Sequence, residues 1–196
     1  MRIRRTRNLV GAVLAGTLLA VASPAIADAQ SPQSDTPTPV ASTNVKSTTG
    51  ASTNSLAAIS WYYVKNYKSQ KYLQPSGGST AVGARIVQEP ANTSATQLWA
   101  LVADGSYVSF WNQGSGLNMG IDGASTSAGA AAIQATGSSA TNQDWLITWR
   151  SDTVFEMKNR KSGLCLGIDG ASTSSGAVAE QFACDGSANQ GWVFAQ

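Results

Sequence analysis

Histidine is absent from this 196-residue chain, and cysteine occurs only at Cys165 and Cys184. Without an imidazole there is no Ser-His or Cys-His pair to activate a nucleophile. With no His and two Cys expected to pair, a zinc or other transition-metal centre lacks ligands. Carboxylates alone leave calcium open chemically, but no EF-hand spacing is present. Charge is scarce as well, with 12% of residues being Asp, Glu, Lys or Arg. No basic stripe tracks a phosphate backbone, so nucleic acid is not an expected partner. The one long apolar run, Leu9 to Val21, is too short for a convincing membrane span. No glycine-rich phosphate loop precedes a helix, and from Ile59 to Gln196 no stretch carries a helical period. No cofactor, no metal and no catalytic residue is therefore expected.

The apolar run has a different reading. Arg2, Arg4, Arg5 and Arg7 precede it, and Ala25-Ile26-Ala27 follows with small residues at the A-x-A spacing. Residues 1–27 thus read as a secretory signal peptide. Thr6-Arg7 follow Arg4-Arg5, where a twin-arginine signal needs a hydrophobic residue, so ordinary secretion into the extracellular medium is expected. The four Arg are the only charges in that segment, so its removal turns a formal +2 into −2. An oxidising destination makes one Cys165–Cys184 disulfide the default. Closing that loop stabilises the fold by about 3 kcal/mol in the chain-entropy model. Residues 28–57 hold 12 Ser or Thr and three Pro, with no aromatic. Such a stretch buries too little to offset its ordering entropy and reads as a disordered linker.

From residue 58 to residue 196 the composition becomes aromatic, β-branched and turn-rich. One short word recurs: Gln97-Leu98-Trp99, Gln143-Asp144-Trp145 and Gln190-Gly191-Trp192 are Q-x-W triplets, 46 and then 47 residues apart. Asn66, Asn112 and Asn159 each precede the Gln by 31 residues, and Gly77, Gly123 and Gly170 keep the same phase. A phase held over three copies means one supersecondary unit used three times. The copies run about 61–106, 107–152 and 153–196. Ser115–Ala132 and Ser162–Ala179 agree at 14 of 18 positions, whereas the first copy has diverged.

Within each copy, period-two alternation points to strands on a core. Leu164, Leu166 and Ile168 alternate with Cys165, Gly167 and Asp169; Leu117, Met119 and Ile121 alternate with Asn118, Gly120 and Asp122. Each copy reads as four strands. One ends at the Asn, one is the alternating run, one precedes Gln88, Gln134 or Gln181, and one carries Q-x-W. Three such units with every edge needing a partner favour a closed barrel capped by hairpins. Gln97, Gln143 and Gln190 read as structural ties between strands. Trp99, Trp145 and Trp192 read as core aromatics.

Three Q-x-W units in phase, with the Cys pair, resemble the ricin-type β-trefoil lectins over Trp61 to Gln196. The third copy carries the resemblance best, through Gly163-Leu164-Cys165-Leu166, Gly170-Ala171-Ser172-Thr173, Gly176, Cys184 and Asn189-Gln190-Gly191-Trp192. The resemblance implies an all-β trefoil with pseudo-threefold symmetry and shallow sugar pockets, up to one per repeat. A sugar's hydroxyls want fixed donors and acceptors, and its C–H face packs on an aromatic ring. A carboxylate, an amide and an aromatic converging on one surface supply both.

Carried over residue by residue, the pocket departs from the family. The pocket Asp falls on Gly167, Gly120 and Gln74, none of them a carboxylate. Asp169 and Asp122 lie two residues on. They either take over the role or open a turn in which Asp bonds its own backbone and Gly supplies a positive φ, and the turn carries more weight. The stacking aromatic survives only as Phe182, against Ala135 and Glu89. The pocket amide falls on Glu180, Ile133 and Val87, one residue before Gln181, Gln134 and Gln88. A one-residue slip swaps faces, so Glu180 and Gln181 are both carried as candidates. Asn189 and Asn142 match the pocket Asn, and Gln190 adjoins it. The expected carbohydrate-binding set is therefore Asp169, Glu180, Gln181, Phe182, Asn189 and Gln190 in the third copy, with Asp122, Gln134 and Asn142 in the second.

Asp122 and Asp169, related by the repeat, sit too far apart for a glycosidase pair. The expected function is a secreted, non-enzymatic, lectin-like binder of a glycan or polysaccharide, acting chiefly through the third repeat. The alternative is a trefoil that binds or inhibits another protein, a protease for instance, with degenerate sugar sites. A third reading makes the chain the targeting part of an assembly with a separate secreted protein.

Overall fold

A computed structural model describes residues 59–196. The expected leader and linker lie outside the described residues. Twelve short strands follow in three sets of four. The first set is β1 (Tyr62–Asn66), β2 (Tyr72–Pro75), β3 (Ile86–Glu89) and β4 (Leu98–Asp104). The second is β5 (Tyr107–Asn112), β6 (Asn118–Ile121), β7 (Ala132–Ala135) and β8 (Trp145–Trp149). The third is β9 (Phe155–Asn159), β10 (Cys165–Ile168), β11 (Ala179–Phe182) and β12 (Trp192–Ala195).

All pairing is antiparallel. The cycle β1–β4–β5–β8–β9–β12 closes when β12 returns to β1, with Val64 opposite Phe194 and Asn66 opposite Trp192. That closed six-stranded barrel has no free edge. The remaining strands form three hairpins, β2–β3, β6–β7 and β10–β11. Single bridges Arg85–Ile133, Val87–Val178 and Ala131–Glu180 join the hairpins into a triangular cap. Barrel plus triangular cap is the β-trefoil that the repeats imply.

The core lies where the repeats predict it. Trp99, Trp145 and Trp192 are buried, and each indole N–H donates to the carbonyl of its own repeat's second strand, at Leu73, Met119 and Leu166. Val64, Phe110 and Met157 from the barrel meet Leu73, Ile86, Met119, Ile121, Leu166 and Ile168 from the hairpins. Burial of this kind contributes roughly 1.5–3 kcal/mol per large apolar side chain.

The polar residues that keep phase tie neighbouring repeats together. The Oδ1 atoms of Asn66, Asn112 and Asn159 accept backbone N–H groups of the turn that follows. Their Nδ2 atoms donate 2.9 Å bonds to the carbonyls of Asn189, Thr96 and Asn142 in the preceding repeat, cyclically. The disulfide joins Cys165 to Cys184, with Cα atoms 5.0 Å apart.

Two details of the strand reading change. The Q-x-W glutamines close short 3₁₀ turns (Ala95–Gln97, Thr141–Gln143, Ala188–Gln190) rather than lying in the strand; only the Trp enters it. In addition, β6 and β10 are buried on both faces, because the face of Gly120 and Gly167 is covered by these glutamines and the residues before them.

Candidate functional site

In the third repeat, β10 and β11 pair Cys165 with Phe182, Leu166 with Gln181 and Gly167 with Glu180. Opposed residues share a sheet face. Register alone therefore assigns Glu180 and Phe182 to the outer face with Gly167, and Gln181 to the inner face with Leu166.

Gly167 is the floor of the outer face. A Cβ there would lie 2.9 Å from Gln190 Cγ, 3.3 Å from Asn189 Nδ2 and 3.4 Å from Phe182 Cδ2. The amide of Asn189 and the ring of Phe182 thus converge over a bare glycine. Asn189 is oriented by its turn. The Ser187 hydroxyl donates to its Oδ1 at 2.7 Å, and Ser187 N–H donates to Asp185 at 2.8 Å. The Asn189 amide N–H reaches the Ile168 carbonyl at 3.5 Å, a long contact that leaves donor capacity over for a ligand.

Asp169 continues the β10 ladder by one bond, its N–H to the Val178 carbonyl, and then opens a turn. Asp169 therefore stands beside Glu180 on the outer face. Burial pushes the Glu180 carboxyl above the usual range, and the Asp169 charge pushes the same way, while Arg85 of the first repeat pulls partly back. Asp169 also serves the turn, but not through its side chain. Ser172 N–H donates to the Asp169 backbone carbonyl at 3.0 Å, and Gly170 and Ala171 both take the left-handed conformation. Asp122 repeats this arrangement, with Ser125 N–H on its carbonyl at 3.1 Å. The expected bond from each Asp side chain to its own backbone is absent among the described residues, which leaves both carboxylates exposed.

The glutamines go elsewhere. Gln181 is fully buried, takes the Ser162 hydroxyl on Oε1 at 2.7 Å, and donates to the Ser125 and Ser127 carbonyls of the second repeat. Gln134 donates to the Ser79 and Ala81 carbonyls of the first repeat, and Gln88 to the Ser172 and Ser174 carbonyls of the third. These three form a cyclic staple. Gln190 donates to the Ala183 carbonyl and accepts from Asp185 N–H, so its amide is occupied too. Gln181, Gln134 and Gln190 thus serve the frame, and only the Cγ of Gln190 touches the candidate face.

The second copy keeps the floor without the walls. Gly120 lies under Gln143 Cγ and Asn142 Nδ2, but Asn142 is buried and donates to the Ile121 carbonyl at 3.0 Å. Ile133 stands where Glu180 does and Ala135 where Phe182 does. Of its candidates, Asp122 alone is exposed. In the first copy, Gln74 fills the floor and its Oε1 accepts from Asn92 and Gln97.

Sequence reasoning missed Arg85 and Ser187. Arg85 comes from another repeat, and nothing local signals its approach. Ser187 was legible in principle, because Asp185-Gly186-Ser187 is a turn signature two residues before the Asn.

A six-stranded barrel closed by three hairpins, with a polar-aromatic face on the third of them, defines a β-trefoil of the Q-x-W kind. Residues 60–192 match the model of the ricin-type beta-trefoil lectin domain. The chain belongs to that family. Among solved structures it is similar to the designed threefold-symmetric protein ThreeFoil (32% identity, TM-score 0.68, covering 69% of this chain and 98% of that one). It is also similar to an exo-beta-1,3-galactanase from Clostridium thermocellum (31% identity, TM-score 0.67), covering 68% of this chain but only 29% of the galactanase. The Macrolepiota procera ricin B-like lectin, solved in complex with lactose, shares the fold at 18% identity and a TM-score of 0.62, covering 73% of this chain and 99% of that one. No curated protein matches the sequence.

Proposed function

We propose that this chain is a secreted, non-enzymatic carbohydrate-binding protein whose principal site is the outer face of the third repeat. The observation that carries the reading is the convergence of Phe182 and Asn189 over Gly167, with Glu180 paired to that glycine across the ladder on the same face. Family membership and the lactose complex of the Macrolepiota procera lectin support it. The family's carboxylate is missing from β10, but its directly paired partner on β11 is Glu180. The carboxylate has in effect crossed the ladder. Glu180 accepts a sugar hydroxyl, Asn189 donates to a second, and the C–H face packs on Phe182. Asp169 adds a further acceptor at the edge. A single shallow site of this kind binds weakly, so useful affinity comes from repetition along a polysaccharide or on a surface.

A glycan array followed by calorimetry tests the reading. Phe182→Ala and Glu180→Gln are each expected to weaken binding about tenfold or more, the loss of about 1.4 kcal/mol or more, with the melting temperature preserved. The second reading, a protein-binding or protease-inhibitory surface, draws on one observation: neither Gly167 nor Gly120 has room for the family's carboxylate. Absence of binding to every glycan, together with capture of a secreted protease, would replace the first reading by the second.

A further inference from the structure

The open end of the barrel, opposite the hairpin cap, carries features that the third-repeat site does not use. A cleft of about 210 Å³ lies between the start of β1 and the β4–β5 turn. Leu101, Ala103 and Val108 line it with apolar side chains, and Ser60, Tyr62, Ser106 and Tyr107 line it with side chains that carry hydroxyls. Among the described residues none of these hydroxyls has a hydrogen-bond partner, and none is a buried orphan. Their hydrogen-bonding capacity is therefore left over for a ligand.

The one cation beside the cleft is already engaged by two carboxylates. Arg160 lies over the Tyr107 ring, 4.6 Å from its centroid, but it pairs with Asp104 at 2.6 Å and with Asp144 at 3.2 Å. Among the described residues no charged side chain lines the cleft, so an ionic ligand finds no counter-charge there. A hydroxyl donates and accepts at once, which suits a neutral ligand offering hydroxyls in both roles. The volume falls below that of pockets for drug-sized ligands, so the cleft accommodates one ring rather than an oligomer.

An aromatic row leads away from the cleft. The Tyr62 ring lies 5.1 Å from Phe194, and Phe194 lies 6.3 Å from Trp149. Trp149 is 55% exposed, yet Phe155 and Phe194 brace it edge-on. A flat ring held rigidly at the surface presents an apolar face to the C–H side of a sugar.

We infer that the open end of the barrel is a second, separate neutral-sugar surface, in which the cleft takes one pyranose ring through its serine and tyrosine hydroxyls and Trp149 supports the next unit of the same chain. It shares no residue with the third-repeat face, so the two stand or fall separately.

The test is amide NMR of the full chain, titrated with the methyl glycosides of galactose, glucose and mannose and with lactose and cellobiose. The amides of Gly105, Ser106, Tyr107 and Val108 are expected to shift with at least one of these sugars. Ala103→Trp, which fills the cleft from an exposed position, is expected to weaken that response about tenfold while leaving shifts at Gly167 and Asn189 unchanged. Phe182→Ala is expected to do the reverse. Trp149→Ala should weaken the disaccharides and spare the methyl glycosides. No shift at residues 105–108 with any of the sugars at roughly 50 mM, well beyond the millimolar range of weak specific binding, overturns the inference. So do shifts that survive Ala103→Trp in a variant with an unchanged melting temperature. If Ala103→Trp abolishes binding and Phe182→Ala does nothing, the third-repeat reading fails and this one stands.

Discussion

Gly167 has the form of a lost binding residue, and restoring the family's carboxylate there invites itself as an experiment. Its neighbours argue against it. A Cβ at that position meets Gln190 Cγ at 2.9 Å, and Gln190 cannot retreat without breaking its bonds to Ala183 and Asp185. Gly167→Asp is therefore expected to destabilise the fold by about 1–3 kcal/mol through overpacking. It should also displace Phe182 and so weaken rather than restore sugar binding. Denaturant unfolding measures the first effect and calorimetry the second; a stable variant with tighter binding would show that the floor has room after all. Asp144 is the other residue whose setting has a measurable consequence. It is 2% exposed at the middle of its Q-x-W triplet, bonded to Ser109 and Arg160. Burial, opposed by the Arg160 bond and reinforced by Asp104, leaves its carboxyl above the usual range. A carboxyl raised on folding binds its proton more tightly in the native state. Its contribution is complete below the unfolded pKa and is lost as pH rises through the raised folded one. Asp144→Asn does not titrate. Its melting temperature relative to the parent is therefore expected to shift upward from acid to neutral pH, whatever the constant cost of losing Arg160. A constant difference across that window would show that Asp144 titrates normally.

The elements divide according to what the chain reveals about them. The strands, their phase and the core tryptophans follow from period-two alternation and Q-x-W spacing, because these patterns arise from the pleat and the threefold core. The face of Glu180 was not legible, since the choice depends on the β10–β11 register and a one-residue slip inverts it. Nor was the burial of Gln181, whose partners, the Ser125 and Ser127 carbonyls, belong to another repeat about 55 residues away. The open end of the barrel left no motif at all, because Tyr62 and Phe194 become neighbours only when the barrel closes. The buried glutamines permit a sharper comparison. Gln181 has both ends bonded, whereas the Oε1 of Gln134 has no partner. Gln181→Ala strands two carbonyls and the Ser162 hydroxyl, and it is expected to cost about 2–4 kcal/mol. Gln134→Ala strands two carbonyls but relieves an unpaired oxygen, and it should cost about 1 kcal/mol less. Equal costs in chemical denaturation would mean that the Ser115 hydroxyl, the repeat counterpart of Ser162 and here bonded to Asn112, turns to serve Gln134 in solution.

At the scale of the molecule, the candidate site lies within one repeat but is held in place by all three. Every strand and candidate side chain of the outer face lies between residues 153 and 196, which suggests that this segment alone binds sugar. The contacts that fix the face say otherwise. Asn66 of the first repeat holds the Asn189 carbonyl at 2.9 Å, and Gln88 holds the loop after Asp169 through the Ser172 and Ser174 carbonyls. The second repeat supplies the carbonyls that bury Gln181 on the reverse side of the Phe182 strand. The last strand, β12, pairs along its length with the first, β1, so the third repeat alone also exposes a barrel edge. A unit that cannot bury its apolar face without its neighbours has no native state of its own. A peptide of residues 153–196 with the disulfide intact is therefore expected to show no cooperative unfolding and no binding to a glycan that the full chain retains. Circular dichroism and calorimetry on the peptide check both points. A peptide that bound with near-parent affinity would show that the disulfide and the β10–β11 hairpin suffice to organise the face. The interlocking described above would then serve stability rather than recognition.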